Sequence, residues 1–199
     1  MTKYLPFYYD QQGFFFLNDK AFIMTSESES LPYLTAVLNS SLFRCCFRDN
    51  FPELLGNTYE LSKVFFDKIP IKRSDSTIVT LFETLVEYIQ FAKVCAKNTT
   101  SNGTLPAVIA AFLEELIDAC VMEVYFTDHM REKKLAVMAE VRNAIEPFPR
   151  TAPDSAKWQR VHSFYETANA PKHTIRNRLM SIPIDSPDLL RVIKEEGKV

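Results

Sequence analysis

The sequence predicts an α+β protein: a small mixed β-sheet over residues 1–73, an attached helical bundle over 74–149, and a small, basic C-terminal α/β subdomain over 150–199. Three observations predict it. Residues 4–24 are rich in aromatics and interrupted by turn signals at Asp10–Gly13 and Asn18-Asp19, a pattern of short strands in a meander. Residues 76–97 and 105–124 carry apolar side chains at the three- and four-residue spacing of amphipathic helices. Residues 173–184 alternate well enough for a strand, with Arg176 and Arg178 opposite Ile175 and Leu179.

Each element follows in order. Ser26–Ser30 is a polar link, and Ser30, with Pro32 near the first helical position, caps a helix from Leu31 to about Phe47. Its stripe is Leu31, Leu34, Val37, Leu38, Leu42 and Phe43, and Arg48-Asp49-Asn50 and Pro52 end it. Gly56-Asn57 turns the chain into an extended run, 58–71, where Pro70 is tolerated at an edge. Ser76–Lys97 is a helix striped by Ile78, Leu81, Phe82, Leu85, Val86, Ile89 and Ala92. After the polar loop 98–104, Thr104 starts a second strong helix that packs antiparallel to the first. A third, from Thr127, carries Leu135, Met138, Val141 and Ile145. Residues 146–155 (EPFPRTAPDS) form the best internal boundary. Beyond it come a helix over 156–168, with Trp158 in the core, the strand 173–184, and a helix started by Ser186-Pro187-Asp188.

Composition narrows the function. Of 199 residues, 47% are hydrophobic and 24% charged, ordinary for a folded chain. Only 4 Gly stand against 11 Pro, which disfavours glycine-loop nucleotide folds, and a net charge of -2 gives no global pull toward nucleic acid or membrane. Residues 1–73 are neutral, 74–156 hold 7 basic and 12 acidic side chains, and 157–199 hold 8 and 5. Any basic surface therefore comes from the two ends. Cys45, Cys46, Cys95 and Cys120 form no CxxC pair and read as buried free thiols of a reducing compartment. With no signal-peptide core and no apolar run of spanning length, a cytoplasmic location is expected and membrane is not among the partners.

Candidate chemistry is sparse. His129, His162 and His173 lack metal-ligand spacing. Glu114, Glu115, Asp118 and Glu123 read as the solvated face of a helix rather than a paired-carboxylate site. No GxSxG, GxxxxGK[ST] or GxGxxG occurs, so no self-contained active site is expected. The remaining candidates are two basic groups: Lys63, Lys68, Lys72 and Arg73 near Tyr59, Phe65 and Phe66, and Lys172, Arg176 and Arg178 beside His173. Such side chains fork onto phosphates or guanine edges. Composition alone favours the plainer reading, ordinary solvated strand faces over an aromatic core.

The order of short motifs adds to this. Asn18-Asp19-Lys20-Ala21-Phe22-Ile23-Met24, then Tyr33-Leu34 and Val37-Leu38-Asn39-Ser40-Ser41-Leu42-Phe43, then Gly56, then Lys68-Ile69-Pro70-Ile71 resembles the TaqI-like C-terminal specificity domain, the target recognition region of adenine-specific DNA methyltransferases and fused type IIG restriction-modification enzymes. Ile117-Asp118-Ala119…Val124-Tyr125 is similar to a downstream I-D-x-x-V-x-x-L-Y segment of those proteins, with Val124 for the usual leucine. Type I specificity subunits share a similar logic.

The resemblance covers residues 13–73 well and 105–145 in part. It implies double-stranded DNA and a methyltransferase catalytic domain or subunit as partners, with the basic residues above on DNA. The (N/D)PP(Y/F) motif and the glycine-containing S-adenosylmethionine loop of such methyltransferases are missing here. The resemblance therefore implies a recognition region without cofactor chemistry, S-adenosylmethionine being expected in a catalytic domain absent from this chain. Type I-like specificity fragments and a helical protein-interaction or dimerisation module remain alternatives. The second is motivated by Val79 and Phe91 lying outside the apolar stripe of their helix.

Overall fold

A computed structural model describes residues 7–13, 23–54, 58–59, 62–98 and 104–194. In these residues the architecture is helical, which overturns the α+β expectation. The order is α1 (Leu31–Asn39), α2 (Ser41–Asn50), β1 (Glu53–Leu54), β2 (Thr58–Tyr59), α3 (Lys63–Phe66), α4 (Ser76–Asn98), α5 (Thr104–Tyr125), α6 (Thr127–Glu132), α7 (Met138–Ala144), α8 (Asp154–Ala168), α9 (Thr174–Asp185) and α10 (Pro187–Lys194). Strand pairing among the described residues is confined to the antiparallel β1/β2 ladder, with Glu53 opposite Tyr59 and Leu54 opposite Thr58. The expected meander lies partly outside the described residues, and 7–13 and 23–24 contain no strand.

α4 and α5 form the antiparallel hairpin that their stripes predict, and the other helices pack around it. The main core takes Phe82, Leu85 and Tyr88 from α4, Ile109, Leu113 and Leu116 from α5, and Met130, Leu135, Val141, Val161, Ile175 and Ile193 from later elements. Residues 150–193 thus share a core with the hairpin. Trp158 packs partly buried against it, as do Val79 and Phe91, so these last two do not form a second, unpartnered face.

The expected single helix 31–47 breaks at Ser40. Ser40 is extended (φ -69°, ψ 157°); its N–H and hydroxyl both donate to Val37 O, at 3.2 and 2.6 Å, and its Oγ accepts from Phe43 N at 3.2 Å. One buried serine therefore ends α1 and starts α2. The break turns α1 into a shared wall. Tyr33, Ala36 and Val37 face the main core. Leu34 and Leu38 face a second, aromatic core of Phe43, Phe47 and Phe51, with Phe7, Tyr59, Phe66 and Ile69 packed against it. Ser30 caps α1 as expected, accepting from Tyr33 N.

The extended run 58–71 becomes β2 followed by α3. Phe66 supplies the reason: its ring meets Phe7, Phe43 and Phe51 at centroid distances of 5.7, 5.9 and 5.8 Å, and one helical turn aims it there. Residues 174–185 are α9 rather than a strand, because Ile175, Leu179 and Ile182 recur at four and three residues and all three are buried. The C-terminal part is accordingly helical, not α/β. The third helix expected from Thr127 is two helices, separated at Lys134, whose φ is 58°.

Candidate functional site

Of the residues singled out by the family resemblance, 18–22 and Gly56 lie outside the described residues; those at 39–41, 69–71 and 117–125 meet at the end of the α4–α5 hairpin that receives residues 31–73. Asp118, on α5, accepts from Ser41 N at 2.8 Å and from Ser41 Oγ, so it binds the first turn of α2 from outside. Asn39 pins the N-terminal chain to α1: its Nδ2 donates to Phe7 O at 2.9 Å, and its Oδ1 accepts from Phe7 N at 3.1 Å. One helical span along α5, Tyr125 OH donates to Pro70 O at 3.2 Å and accepts from Lys72 N at 3.0 Å. Tyr33 OH donates to Lys72 O at 2.6 Å and lies 3.0 Å from Ser74 Oγ. Burial raises the pKa of both tyrosines, which keeps them neutral donors. Three motifs distant in sequence are thus joined by hydrogen bonds, and the Ile69-Pro70-Ile71 segment is seated rather than displayed.

The sequence-predicted basic residues divide. Lys63 projects from α3 and pairs with Asp67 at 2.7 Å, with 86% of its side chain exposed. Lys68 is exposed in the turn that follows. Lys72 is spent on the fold, donating from Nζ to Val124 O at 2.7 Å, near the end of α5 where carbonyls lack helical partners. Arg73 meets Glu29 at 3.0 Å. In the second group, Arg176 donates to Asn169 O at 3.2 Å, and Arg178 donates to Ala136 O and lies 3.5 Å from Glu140. His173 caps α9, accepting through Nδ1 from Ile175 N at 3.3 Å. Lys172 is exposed in a left-handed conformation, φ 73°. Lys63, Lys68 and Lys172 are thus exposed, Lys63 in its pair with Asp67, whereas the arginines of the second group fasten loops.

A groove of about 330 Å³ runs between residues 24–29 and α1, lined by Leu34, Leu38, Phe66, Ile69 and Ile71, with the Glu29–Arg73 pair at its rim. Its floor is apolar. A second groove, of about 370 Å³, lies between α4 and α8 and is lined by Tyr88, Glu146, Arg160, Ser163 and Thr167. Arg160 is held there by Glu146 and by Pro147 O at 3.5 Å.

The carboxylates expected on the solvated face of α5 behave unequally. Glu114 and Glu115 are exposed, Glu114 pairing with Lys93 at 2.6 Å. Asp118 makes the contact to Ser41, and Glu123 is buried, its Oε2 accepting from Val137 N at 2.5 Å and Met138 N at 2.8 Å. Glu123 caps α7 across a gap of 14 residues, as the helix's own preceding residues do not. Sequence reasoning missed both roles. The I-D segment pointed at Asp118, and nothing in the sequence pointed at Glu123.

All four cysteines are free, Cys45 and Cys120 buried and Cys46 and Cys95 half-buried. Burial pushes the thiols of Cys120, Cys46 and Cys95 up, Cys120 well above the usual range, which disfavours thiolate chemistry at neutral pH. Among the described residues, no group of three or more His, Cys, Asp or Glu side chains is placed to hold a metal ion, and no helix is long and apolar enough to cross a membrane. No protein-family model, curated protein or solved structure matches the chain.

Proposed function

We propose that this chain is the DNA-recognition region of a restriction-modification adenine-N6 DNA methyltransferase of type II or IIG. In this reading it grips duplex DNA and positions a target adenine for a catalytic domain absent from this chain. That domain binds S-adenosylmethionine, flips the base and methylates it. The observation that carries the reading is the joining of the motifs through α5: Ser41 of Asn39-Ser40-Ser41 is bonded to Asp118, and Pro70 of Ile69-Pro70-Ile71 to Tyr125. A chance match of short motifs has no reason to meet in space, whereas a shared scaffold does. It follows that the motifs hold the scaffold, and that recognition belongs to the exposed surface around α3, with Lys63 and Lys68.

Selection from a randomised duplex pool with the full chain tests this. The expected result is enrichment of one short sequence, bound more weakly as salt rises. Lys63→Gln with Lys68→Gln should lower affinity for that sequence while the melting temperature holds. A pool with no enriched sequence overturns the reading.

The helical interaction module is a second reading, favoured by the exposed Val94, Leu105 and Val108 near the tip of the α4–α5 hairpin. Light scattering separates the two: a concentration-dependent dimer abolished by Val108→Glu supports it, and a monomer at all concentrations excludes self-association through that tip.

A further inference from the structure

By sequence, residues 74–156 are the acidic part of the chain, but the fold uses many of their acids internally. Glu83 accepts from Ser30 Oγ at 2.7 Å, Glu87 holds Arg150, Glu114 meets Lys93, Asp118 holds Ser41, and Glu123 caps α7. The cations of the corner between α6 and α7 are not used in that way. Arg131, Lys133, Lys134 and Arg142 are exposed, and among the described residues their side chains have neither an ion pair nor a hydrogen bond. Glu140, the nearest acid on α7, is engaged by Arg178. Asp128 and Glu132 are the acids left at the surface, so cations outnumber them.

The backbone of this corner is fixed. Leu135 N donates to Met130 O at 2.8 Å and Lys134 N to Arg131 O at 3.0 Å, closing α6 around a left-handed residue in a Schellman-type turn. Met130, Leu135, Val137 and Val141 anchor it in the core, Glu123 bonds two of its amides, and Arg178 bonds its Ala136 carbonyl. The left-handed position is one that glycine takes freely and lysine takes only at a cost. Among the described residues the non-glycine left-handed positions are Lys134 and Lys172, both exposed lysines without a side-chain partner. A position that opposes the fold's own preference, repeated with the same cation, points to a use for the charge.

We infer that the α6–α7 corner, through Arg131, Lys133, Lys134 and Arg142, seats the sugar-phosphate backbone of duplex DNA as a contact independent of sequence. This rests on the recognition role proposed above and adds where the duplex continues past the α3 surface. A rigid corner loses little freedom on binding, so its charges act at full value. Each phosphate neutralised contributes about 0.9 to the slope of log affinity against log salt.

The test measures binding of the full chain to a random-sequence duplex across salt, by fluorescence anisotropy. The triple variant Lys133→Gln, Lys134→Gln, Arg142→Gln is expected to reduce the salt slope by about 2 to 3. Lys134→Gly alone should reduce it by about 1 while the melting temperature holds or rises, a divergence that a structural role for Lys134 would not produce. Arg48→Gln with Lys97→Gln, a half-buried and an exposed cation elsewhere, should leave the slope within error. A folded triple variant with an unchanged slope overturns the inference, as does an equal loss in the Arg48 and Lys97 variant. Loss of binding to phosphatidylserine vesicles with duplex binding untouched would assign the corner to a lipid surface instead, and also overturns it. The pool selection keeps the two proposals apart. An enriched sequence with no effect of the corner sinks this inference alone; a corner-dependent slope with no enriched sequence sinks the recognition reading alone.

Discussion

In the α4–α5 hairpin, apolar stripes face each other along two long helices, and most of the burial follows from periodicity: Leu81, Leu85 and Ile89 against Ile109, Leu113 and Leu116. In residues 31–73 the elements are short: Ser30 and Ser40 start α1 and α2, and Asn39, Asp118 and Tyr125 tie the segment to Phe7 and to α5. The first region holds together by area removed from water, the second by hydrogen bonds that set where an aromatic core can form. The difference teaches that the two regions should fail differently. Loss of an apolar side chain should unfold the hairpin and everything on it, whereas loss of one polar partner should loosen residues 31–73 while the hairpin persists.

The strongest attempt to break this contrast is Leu116→Ala. Its side chain is fully buried, and the truncation should cost about 2–5 kcal/mol, with loss of all helices in a single denaturant transition. A separate, earlier transition for the hairpin alone would show that the shared core is not cooperative.

Asp118→Ala comes next. It removes the partner of Ser41 N and Oγ and should cost about 1–3 kcal/mol. Hydrogen exchange should quicken in α2 and α3 far more than in α4. Equal loss of protection in both would erase the distinction.

Tyr88 sharpens the hairpin side through pH. Burial pushes its pKa up to about 12, and its OH donates to Glu146 O at 2.8 Å. Below the unfolded value near 10, both states keep the proton and the contribution is fully present. Between about 10 and 12 the unfolded chain ionises first, so stability falls as pH rises. Tyr88→Phe should cost about 1 kcal/mol at pH 7 and flatten the decline above pH 10, measured by urea melts at each pH. A decline of unchanged steepness would assign it to other groups.

The smallest effect is expected at Lys63. Its pair with Asp67 is exposed, so Lys63→Gln should change stability by less than about 0.5 kcal/mol. A larger loss would mean that α3 depends on that pair.

How much was legible follows the same division. α4 and α5 could be read nearly to their ends, because long stripes on two faces leave one way to be buried. The helix starts at Ser30 and Pro187 were also legible, since capping is decided within a few residues. The strand expected over 58–71 was a misreading of residue type. Val64, Phe65 and Phe66 favour strands, but the tertiary demand to bring Phe66 onto Phe7, Phe43 and Phe51 takes one helical turn. At 173–184 the misreading was of period. Arg176 and Arg178 suggested alternation, while Ile175, Leu179 and Ile182 carried the helical spacing that wins burial. Of the candidate site, the sequence pointed to Lys63 and Lys68. It could not show that Lys72, Arg176 and Arg178 are engaged by carbonyls 52, 7 and 42 residues away.

By itself, then, the sequence determined what is local: caps, long amphipathic stripes, free thiols and the order of the motifs. Tertiary structure decided which polar groups meet. Ser40 ends α1, which faces both cores, and starts α2, which packs into the aromatic one; Glu123 caps a helix that it does not immediately precede, and Glu83, Glu87 and Asp118 are engaged by partners far along the chain. Such pairings depend on distances across the fold rather than along the chain. That is why the exposed cations of the α6–α7 corner, set in an acidic stretch of sequence, emerge only from the fold.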